Sequence, residues 1–151
     1  MVVCGPNCLG IVNTRASAMI HSFTGLPVRP GDIALVSQSG AMAFASILSP
    51  ACDRGVGFGL AVSSGNEAVV DTVDYVRHFV RDPDIRVITS LLEGLQPGRG
   101  RAFLDVAREA ADAGKPILVC KVGRSETGAR QVVSHTGSMT GSDAVHDAAF
   151  A

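Results

Sequence analysis

From Gly31 onward the chain alternates between two hydrophobic patterns, and that alternation restricts its fold more than any single residue does. The first pattern is a short, nearly unbroken apolar run. Asp32-Ile33-Ala34-Leu35-Val36-Ser37 is one such run, entered from a Pro-Gly turn, and it suits a parallel strand buried on both faces. Val56 to Val62, Ile85 to Leu92 and Ile117 to Cys120 are three more. The second pattern has a helical period. Ala41 to Leu48 is helix-like and carries no charged residue, so it is expected to be buried all round and to stop before Pro50. Val69, Val73, Val76 and Val80 recur at helical spacing, widened by Val70 and Phe79. Asp71, Asp74, Arg77 and Arg81 lie between them, so an amphipathic helix is predicted to end near Asp82-Pro83. Phe103, Val106, Ala107 and Ala110 make a further stripe, closed by Ala113-Gly114. Asp143 is a suitable N-cap for a last helix running to the chain end. Strands alternating with helices predict an α/β fold with a mostly parallel sheet and right-handed crossovers. A last helix with no strand after it suggests a domain that is incomplete at its C-terminus.

Residues 1–30 do not share this rhythm. Val2-Val3 followed by Gly5-Pro6-Asn7 reads as a strand end entering a tight turn, and Leu9-Gly10-Ile11-Val12 as a short strand. Residues 13–30 hold mixed polar residues with Gly25, Pro27 and Pro30 and are expected to be a linker or a peripheral crossing segment. A chain that opens directly on a strand end suggests that something upstream has been cut away.

Composition excludes several classes of function. With 151 residues, 46% hydrophobic and 18% charged, the chain can bury one real core. A formal net charge of −1 without a basic block argues against nucleic acid or an anionic membrane as partner. No apolar run approaches the ~18 residues of a membrane span, and Met1-Val2-Val3-Cys4-Gly5 lacks the features of a secretory leader. The expected location is the cytoplasm. The four cysteines, Cys4, Cys8, Cys52 and Cys120, form no C-x-x-C pair, so neither zinc nor a disulfide framework is expected. Cys120 reads as a small buried hydrophobe, and Cys8 as either a packed loop residue or a reactive thiol.

Chemistry in an open α/β sheet gathers beyond the carboxyl ends of the strands. Those ends carry Ser37-Gln38-Ser39-Gly40, Ser63-Ser64-Gly65-Asn66, Glu93-Gly94 and the loop 122–143. Ser39-Gly40-Ala41 heads a helix and presents free backbone N–H groups and a positive dipole end, an arrangement that binds phosphate and that equally describes an ordinary Ser-capped helix. Glu93 ends an apolar strand, where a carboxylate can orient an imidazole, or can simply face solvent. The imidazole in question is His135, in Ser134-His135-Thr136-Gly137-Ser138-Met139-Thr140-Gly141-Ser142-Asp143, a polar Gly-rich run of little bulk. His21, His78 and His146 have no comparable setting, and His78 falls between stripe positions and should be exposed. Other signatures are missing: Gly55, Gly57 and Gly59 do not make G-x-G-x-x-G, no P-loop occurs, and Ser37 stands where a nucleophile elbow needs glycine. Ser39, His135 and Asp143 resemble a hydrolase triad only in residue type and order.

In register, these segments resemble the α-subunit-type region of the NDP-forming acyl-CoA synthetases, the superfamily of succinyl-CoA synthetase and ADP-forming acetyl-CoA synthetase. Gly5-Pro6-Asn7-Cys8-Leu9-Gly10 is similar to the tail of that family's CoA-binding domain, and Val36-Ser37-Gln38-Ser39-Gly40-Ala41 to its phosphate-site loop. Gly65-Asn66-Glu67-Ala68, Leu92-Glu93-Gly94, Lys115-Pro116 and Lys121-Val122-Gly123-Arg124 follow in order and spacing. Ser134-His135-Thr136-Gly137-Ser138 with Gly141-Ser142-Asp143 resembles the phosphohistidine loop of the acetyl-CoA type. The resemblance implies a flavodoxin-like open parallel sheet with helices on both faces over residues 31–151, after a CoA-domain tail and linker at 1–30. It further implies a phosphohistidine at His135, held by Glu93, with phosphate bound by Ser37, Ser39, Gly40 and Ala41 and the loop built from Ser134, Thr136, Gly137 and Ser138. Coenzyme A, ATP or ADP with Mg²⁺ and phosphate are the implied cofactors and ligands, with no metal ligand in this chain. A small carboxylic acid is the implied substrate. An ATP-grasp domain or subunit and an upstream CoA-binding domain are the implied partners, in an oligomer. The competing reading is an acyl-CoA-sensing region of the kind fused to acetyltransferases.

Overall fold

The computed structural model describes residues 1–123 of the chain. Among the described residues six strands form one sheet in the order β2-β1-β4-β3-β5-β6. They are β1 (Gly10–Asn13), β2 (Ala18–His21), β3 (Ile33–Ser37), β4 (Phe58–Ser63), β5 (Val87–Leu92) and β6 (Ile117–Lys121). β3 pairs in parallel with both β4 and β5, and β5 pairs in parallel with β6. The four apolar runs are thus the four parallel strands. β1 and β2 form an antiparallel hairpin, and β1 is antiparallel to β4. The sheet is mixed at one edge and parallel over the rest, which is the flavodoxin-like α/β arrangement expected.

Helices cover both faces. On one face a π-helical segment, Met42–Leu48, runs into the short α1 (Ser49–Asp53). On the other lie α2 (Thr72–Arg81) and α3 (Gly100–Asp112). Alternate residues of the strands serve the two layers, as a pleated strand requires, except at the β3–β4 register shift, where Phe58 joins the same layer as Ala61. Ala34, Val36, Leu60, Val62 and Ile88 pack with Val73, Val76, Phe79, Phe103 and Val106. Leu35, Ala61 and Phe58 pack with Val12, Ala43, Phe44 and Leu48.

Helix ends are written in the sequence. Asp71 caps α2: its side chain accepts from the Asp74 N–H at 3.1 Å, while the Asp74 carboxylate accepts from the Asp71 N–H at 3.2 Å. This reciprocal box starts the helix at Thr72. Val69 and Val70, expected inside the helix, precede it, and Val69 is exposed. At the other end the Lys115 ammonium donates to the carbonyls of Val80 at 2.8 Å and Asp82 at 2.5 Å, with a longer contact to Phe79 at 3.4 Å. A cation there meets the carbonyls of the last turn and the negative end of the helix dipole. α3 closes at Gly114, whose φ of +67° takes the chain out of the helix.

Four further expectations need correction. Residues 13–30 are not featureless, since β2 lies within them and pairs with β1. The helix after β3 does not stop before Pro50 but continues to Asp53. In the π-helical segment the Ser49 N–H reaches back to the Phe44 carbonyl, and Pro50 enters where the ladder restarts as α-helix, so its missing N–H breaks nothing. Nor is this helix buried all round: Ala41, Ala45 and Ser46 are exposed while Ala43, Phe44 and Leu48 are buried. Cys120 is also exposed, because β6 lies at the edge of the described sheet and its residues alternate between faces. His78 is exposed as expected. No helix among the described residues is long and apolar enough to cross a membrane.

Candidate functional site

The chain leaves β3 toward β4 on one side and then crosses back over β3 to reach β5 on the other. The direction of winding therefore reverses between β3 and β5. In open α/β sheets, ligands bind beyond the carboxyl ends of the strands at such a switch point. Register places Ser37 opposite Leu91 here and Ser63 on the other flank of Ser37. The loops 37–41, 63–67 and 92–94 consequently meet on one rim.

Gln38 joins the three loops. Its Oε1 accepts the backbone N–H of Glu93 at 2.6 Å and of Gly94 at 3.1 Å. Its Nε2 donates to the Gly94 carbonyl at 2.7 Å and to Glu67 Oε2 at 3.0 Å. One amide thus pairs with the backbone of the 93–94 turn on both its polar atoms and ties that turn to a buried carboxylate. Lys121 Nζ adds a bond to the Glu93 carbonyl at 2.8 Å and one to the Val122 carbonyl at 2.6 Å. Glu93 itself is 7% exposed.

Glu67 is 5% exposed and holds a left-handed backbone, with φ 56°. Its Oε1 accepts from Ser64 Oγ at 2.7 Å and Thr72 Oγ1 at 2.6 Å, and Oε2 from Gln38. Burial pushes its carboxyl above the ordinary range, and the bonds from Thr72, Ser64 and Gln38 offset part of that rise. A carboxylate ringed by donors in this way fixes the direction of each of them. Gln38 and Glu67 were not singled out as functional from sequence. The signals available were a lone amide between two rim serines and a carboxylate closing a Gly-Asn turn.

The helix start is shaped by serines and one close approach. Ser37 is fully buried; its hydroxyl donates to the Ser39 carbonyl at 2.7 Å and accepts the Ser39 N–H at 3.2 Å, closing the turn. The Ser39 hydroxyl lies 3.5 Å from the Met42 N–H, and the Ala43 N–H bonds the Ser39 carbonyl at 2.9 Å. Ser39 and Gly40 are half-buried and Ala41 exposed, so this end of the helix opens to the rim. A Cβ on Gly40 would lie 2.5 Å from Leu9 Cγ and 2.8 Å from Ser63 Oγ, so only glycine lets the helix start so close to β4. Backbone N–H groups of a first turn lack intrahelical acceptors and carry the positive end of the dipole.

The structure therefore brings together Ser37, Ser39, Gly40, Ala41 and Glu93 on one rim. His135, with Ser134, Thr136, Gly137 and Ser138, lies outside the described residues, as do Asp143 and the stretch for which a last helix is predicted. Among the described residues no group of three His, Cys, Asp or Glu side chains is arranged to hold a metal. Cys4, Cys8, Cys52 and Cys120 are free thiols.

Residues 30–151 match the family described as the succinyl-CoA ligase like flavodoxin domain. The chain is 44% identical over 150 residues to the ADP-forming 4-hydroxybutyrate–CoA ligase of Nitrosopumilus maritimus, a match that covers 98% of this chain and 21% of that protein. It is 42% identical to the α subunit of the ADP-forming acetate–CoA ligase I of Pyrococcus furiosus, covering 99% of this chain and 31% of the subunit. Among solved structures, the dinucleotide forming acetyl-coenzyme A synthetase 1 of Ca. Korarchaeum cryptofilum, in complex with phosphate and ADP, superposes with a TM-score of 0.87 at 42% identity. That match covers 99% of this chain and 32% of that one. The chain thus spans about a fifth to a third of the proteins it matches. With the family's model matching residues 30–151, this chain belongs to the succinyl-CoA ligase like flavodoxin domain family.

Proposed function

We propose that this chain is the phosphoryl-transfer region of an NDP-forming acyl-CoA synthetase, which interconverts acyl-CoA, phosphate and ADP with acid, CoA and ATP. The observation that carries this reading is the rim at the β3/β5 switch point, where an open helix start and the Glu93 turn are locked together by Gln38. In this reading residues 31–151 form the phosphohistidine domain, and residues 1–30 are the tail of a CoA-binding domain plus linker, from which β1 and β2 are added to the edge of the phosphohistidine domain's sheet.

Phosphate attacks the acyl carbonyl of an acyl-CoA and the CoA thiolate leaves, giving an acyl phosphate. A ring nitrogen of neutral His135 then takes the phosphoryl group and the carboxylate departs. ADP accepts the group from His135 in an ATP-grasp domain or subunit, and Mg²⁺ accompanies the nucleotide there. Imidazole is a competent nucleophile near neutral pH, and its phosphoramidate keeps the group transferable. Glu93 holds the imidazole and sets its tautomer. The N–H groups of Gly40 and Ala41, with the Ser39 hydroxyl beside them, receive the phosphoryl charge at the helix end, and Ser37 holds the turn that aims them through the Ser39 N–H. Ser134, Thr136, Gly137 and Ser138 supply a loop with little bulk around His135.

The test is phosphate that is labile in acid and stable in base on the full-length protein and on its His135→Asn variant, after incubation with labelled ATP, Mg²⁺ and the nucleotide-binding partner. Label on the parent that vanishes in the variant supports the reading. No label, where a ligase of the family labels, refutes it and leaves acyl-CoA sensing as the better account.

A further inference from the structure

We infer that Gln38 is a positioning residue for the phosphoryl-transfer step: with Glu67 fixing its orientation, its amide holds the Glu93-Gly94 turn and so sets where the Glu93 side chain stands. The inference rests on the role proposed for Glu93 and adds two residues to it.

The geometry allows only one orientation of the amide. Oε1 faces two N–H donors, Glu93 at 2.6 Å and Gly94 at 3.1 Å, and Nε2 faces two acceptors, the Gly94 carbonyl at 2.7 Å and Glu67 Oε2 at 3.0 Å. A flipped amide would oppose every partner. Glu67 enforces the choice because Ser64 and Thr72 already occupy its other oxygen as donors. Gln38 itself is carried on the turn between β3 and the helix start, adjacent to the two serines of the rim. The same four-residue segment therefore sets both the anion-facing helix end and, through one side chain, the backbone of the proposed histidine-orienting carboxylate. A displacement of Gln38 would move the two relative to each other. Transfer between groups held at fixed separation is sensitive to such displacements, with about 100-fold in rate lost for a shift of about 1 Å.

The experiment uses the full-length protein with its nucleotide-binding partner and compares five proteins: the parent, Gln38→Glu, Glu93→Gln, the Gln38→Glu/Glu93→Gln double variant, and Gln38→Glu/Glu67→Gln. Gln38→Glu keeps an acceptor for both N–H groups but turns an oxygen toward the Gly94 carbonyl and Glu67. The expected result is a kcat for phosphoryl transfer lower by about 10- to 100-fold with KM values changed less than about threefold. Adding Glu67→Gln gives the new carboxylate a donor and should recover about threefold or more. In the Glu93→Gln background Gln38→Glu should cost nothing further, because a residue acting through Glu93 has nothing left to position.

The inference is overturned if Gln38→Glu keeps the parent kcat, or if it costs as much without Glu93 as with it. If Gln38→Glu does not fold, as judged by its melting, Glu67→Gln is read in the parent and Glu93→Gln backgrounds by the same rule. A Glu93→Gln variant that labels like the parent refutes the role proposed for Glu93. Impaired Glu93→Gln beside unimpaired Gln38→Glu refutes only the positioning by Gln38.

Discussion

Gly40→Ala tests the packing that brings the helix start against β4. Two effects oppose each other. Alanine in a helix is favoured over glycine by at most about 1 kcal/mol, and no positive φ at Gly40 opposes the change. Against this, the new methyl would stand 2.5 Å from Leu9 Cγ, 2.7 Å from Leu9 Cδ1 and 2.8 Å from Ser63 Oγ. Ser63 is fully buried and its hydroxyl accepts the Leu9 N–H at 3.0 Å, so Oγ leaves its place only at the loss of that bond, and the half-buried Leu9 side chain has to shift as well. Overpacking of this kind costs about 1–3 kcal/mol, so the net effect should be a loss of about 1–2 kcal/mol. Urea unfolding measures it as a lower midpoint at unchanged slope. A thermodynamic cycle with Leu9→Ala isolates the cause: with the leucine removed, Gly40→Ala should lose most of its cost. A Gly40→Ala protein as stable as the parent, or one whose cost is the same without Leu9, would refute the close-approach account.

Three further outcomes follow from the ion pairs and buried groups. Arg99 holds Asp71 through Nε at 2.5 Å and Nη2 at 2.9 Å, and Asp74 through Nη2 at 2.7 Å. Burial alone would raise the Asp71 carboxyl, but the guanidinium outweighs it and holds the group below its ordinary range. That stability is present above the unfolded-state pKa and lost as pH falls through the lower folded one. Arg99→Gln should therefore cost about 1–2 kcal/mol at pH 7, and the gap to the parent should close in acid; melting curves showing a constant gap contradict this. Lys115→Met removes the cation at the C-terminal carbonyls of α2 and should cost about 1–2 kcal/mol, read as a lower melting temperature, with no change meaning that water serves those carbonyls as well. Glu67 has the opposite sign to Asp71: its folded pKa lies above the unfolded one, so its stability is present below the unfolded pKa and lost as pH rises through the folded one. Glu67→Gln should set a second NH₂ against Gln38 at every pH yet flatten the decline on the alkaline side of the carboxylate range; an equally steep decline in the variant excludes Glu67 as its source.

The parallel strands were legible because burial on both faces writes nearly continuous apolar runs, and Ile33–Ser37 and Ile117–Lys121 start within a residue of the runs that announced them. β2 was not legible: Ala18-Met19-Ile20-His21 sits at the sheet edge, is nowhere fully buried, and so carries neither a run nor an alternation. Pro50 misplaced a helix end because a change from π to α hydrogen bonding absorbs a missing donor, and no local pattern announces that change. In the site, Ser39-Gly40 and Glu93 could be placed on one rim from strand order alone. Gln38 and Glu67 could not be joined to them, because the partners of the Gln38 amide, Glu67 and Gly94, lie 29 and 56 residues away along the chain. Their contact depends on Ser37 falling opposite Leu91 in one strand pair and beside Ser63 in the other.

The family match begins at residue 30, yet the site is held together from well before it. The turn that carries Glu67 rests on the first ten residues. The Asn66 N–H bonds the Pro6 carbonyl at 2.9 Å, and the Ala68 N–H bonds the Gly5 carbonyl at 2.9 Å. Gly65 makes this approach possible, since a Cβ there would lie 2.3 Å from the Pro6 carbonyl oxygen. Glu67 itself occupies left-handed backbone, which costs a non-glycine residue of order 1–3 kcal/mol and persists only where its surroundings determine it. Here they act from two directions: the 5–6 carbonyls hold the turn from outside the parallel sheet, and Ser64, Thr72 and Gln38 hold the carboxylate from within. The β1–β4 pairing, with Gly10 opposite Ser63, keeps both in register. Loosening residues 3–10 would therefore be transmitted to Glu67, from Glu67 to the Gln38 amide, and from that amide to the backbone of Glu93. The N-terminal segment, outside the family match, is mechanically part of the site.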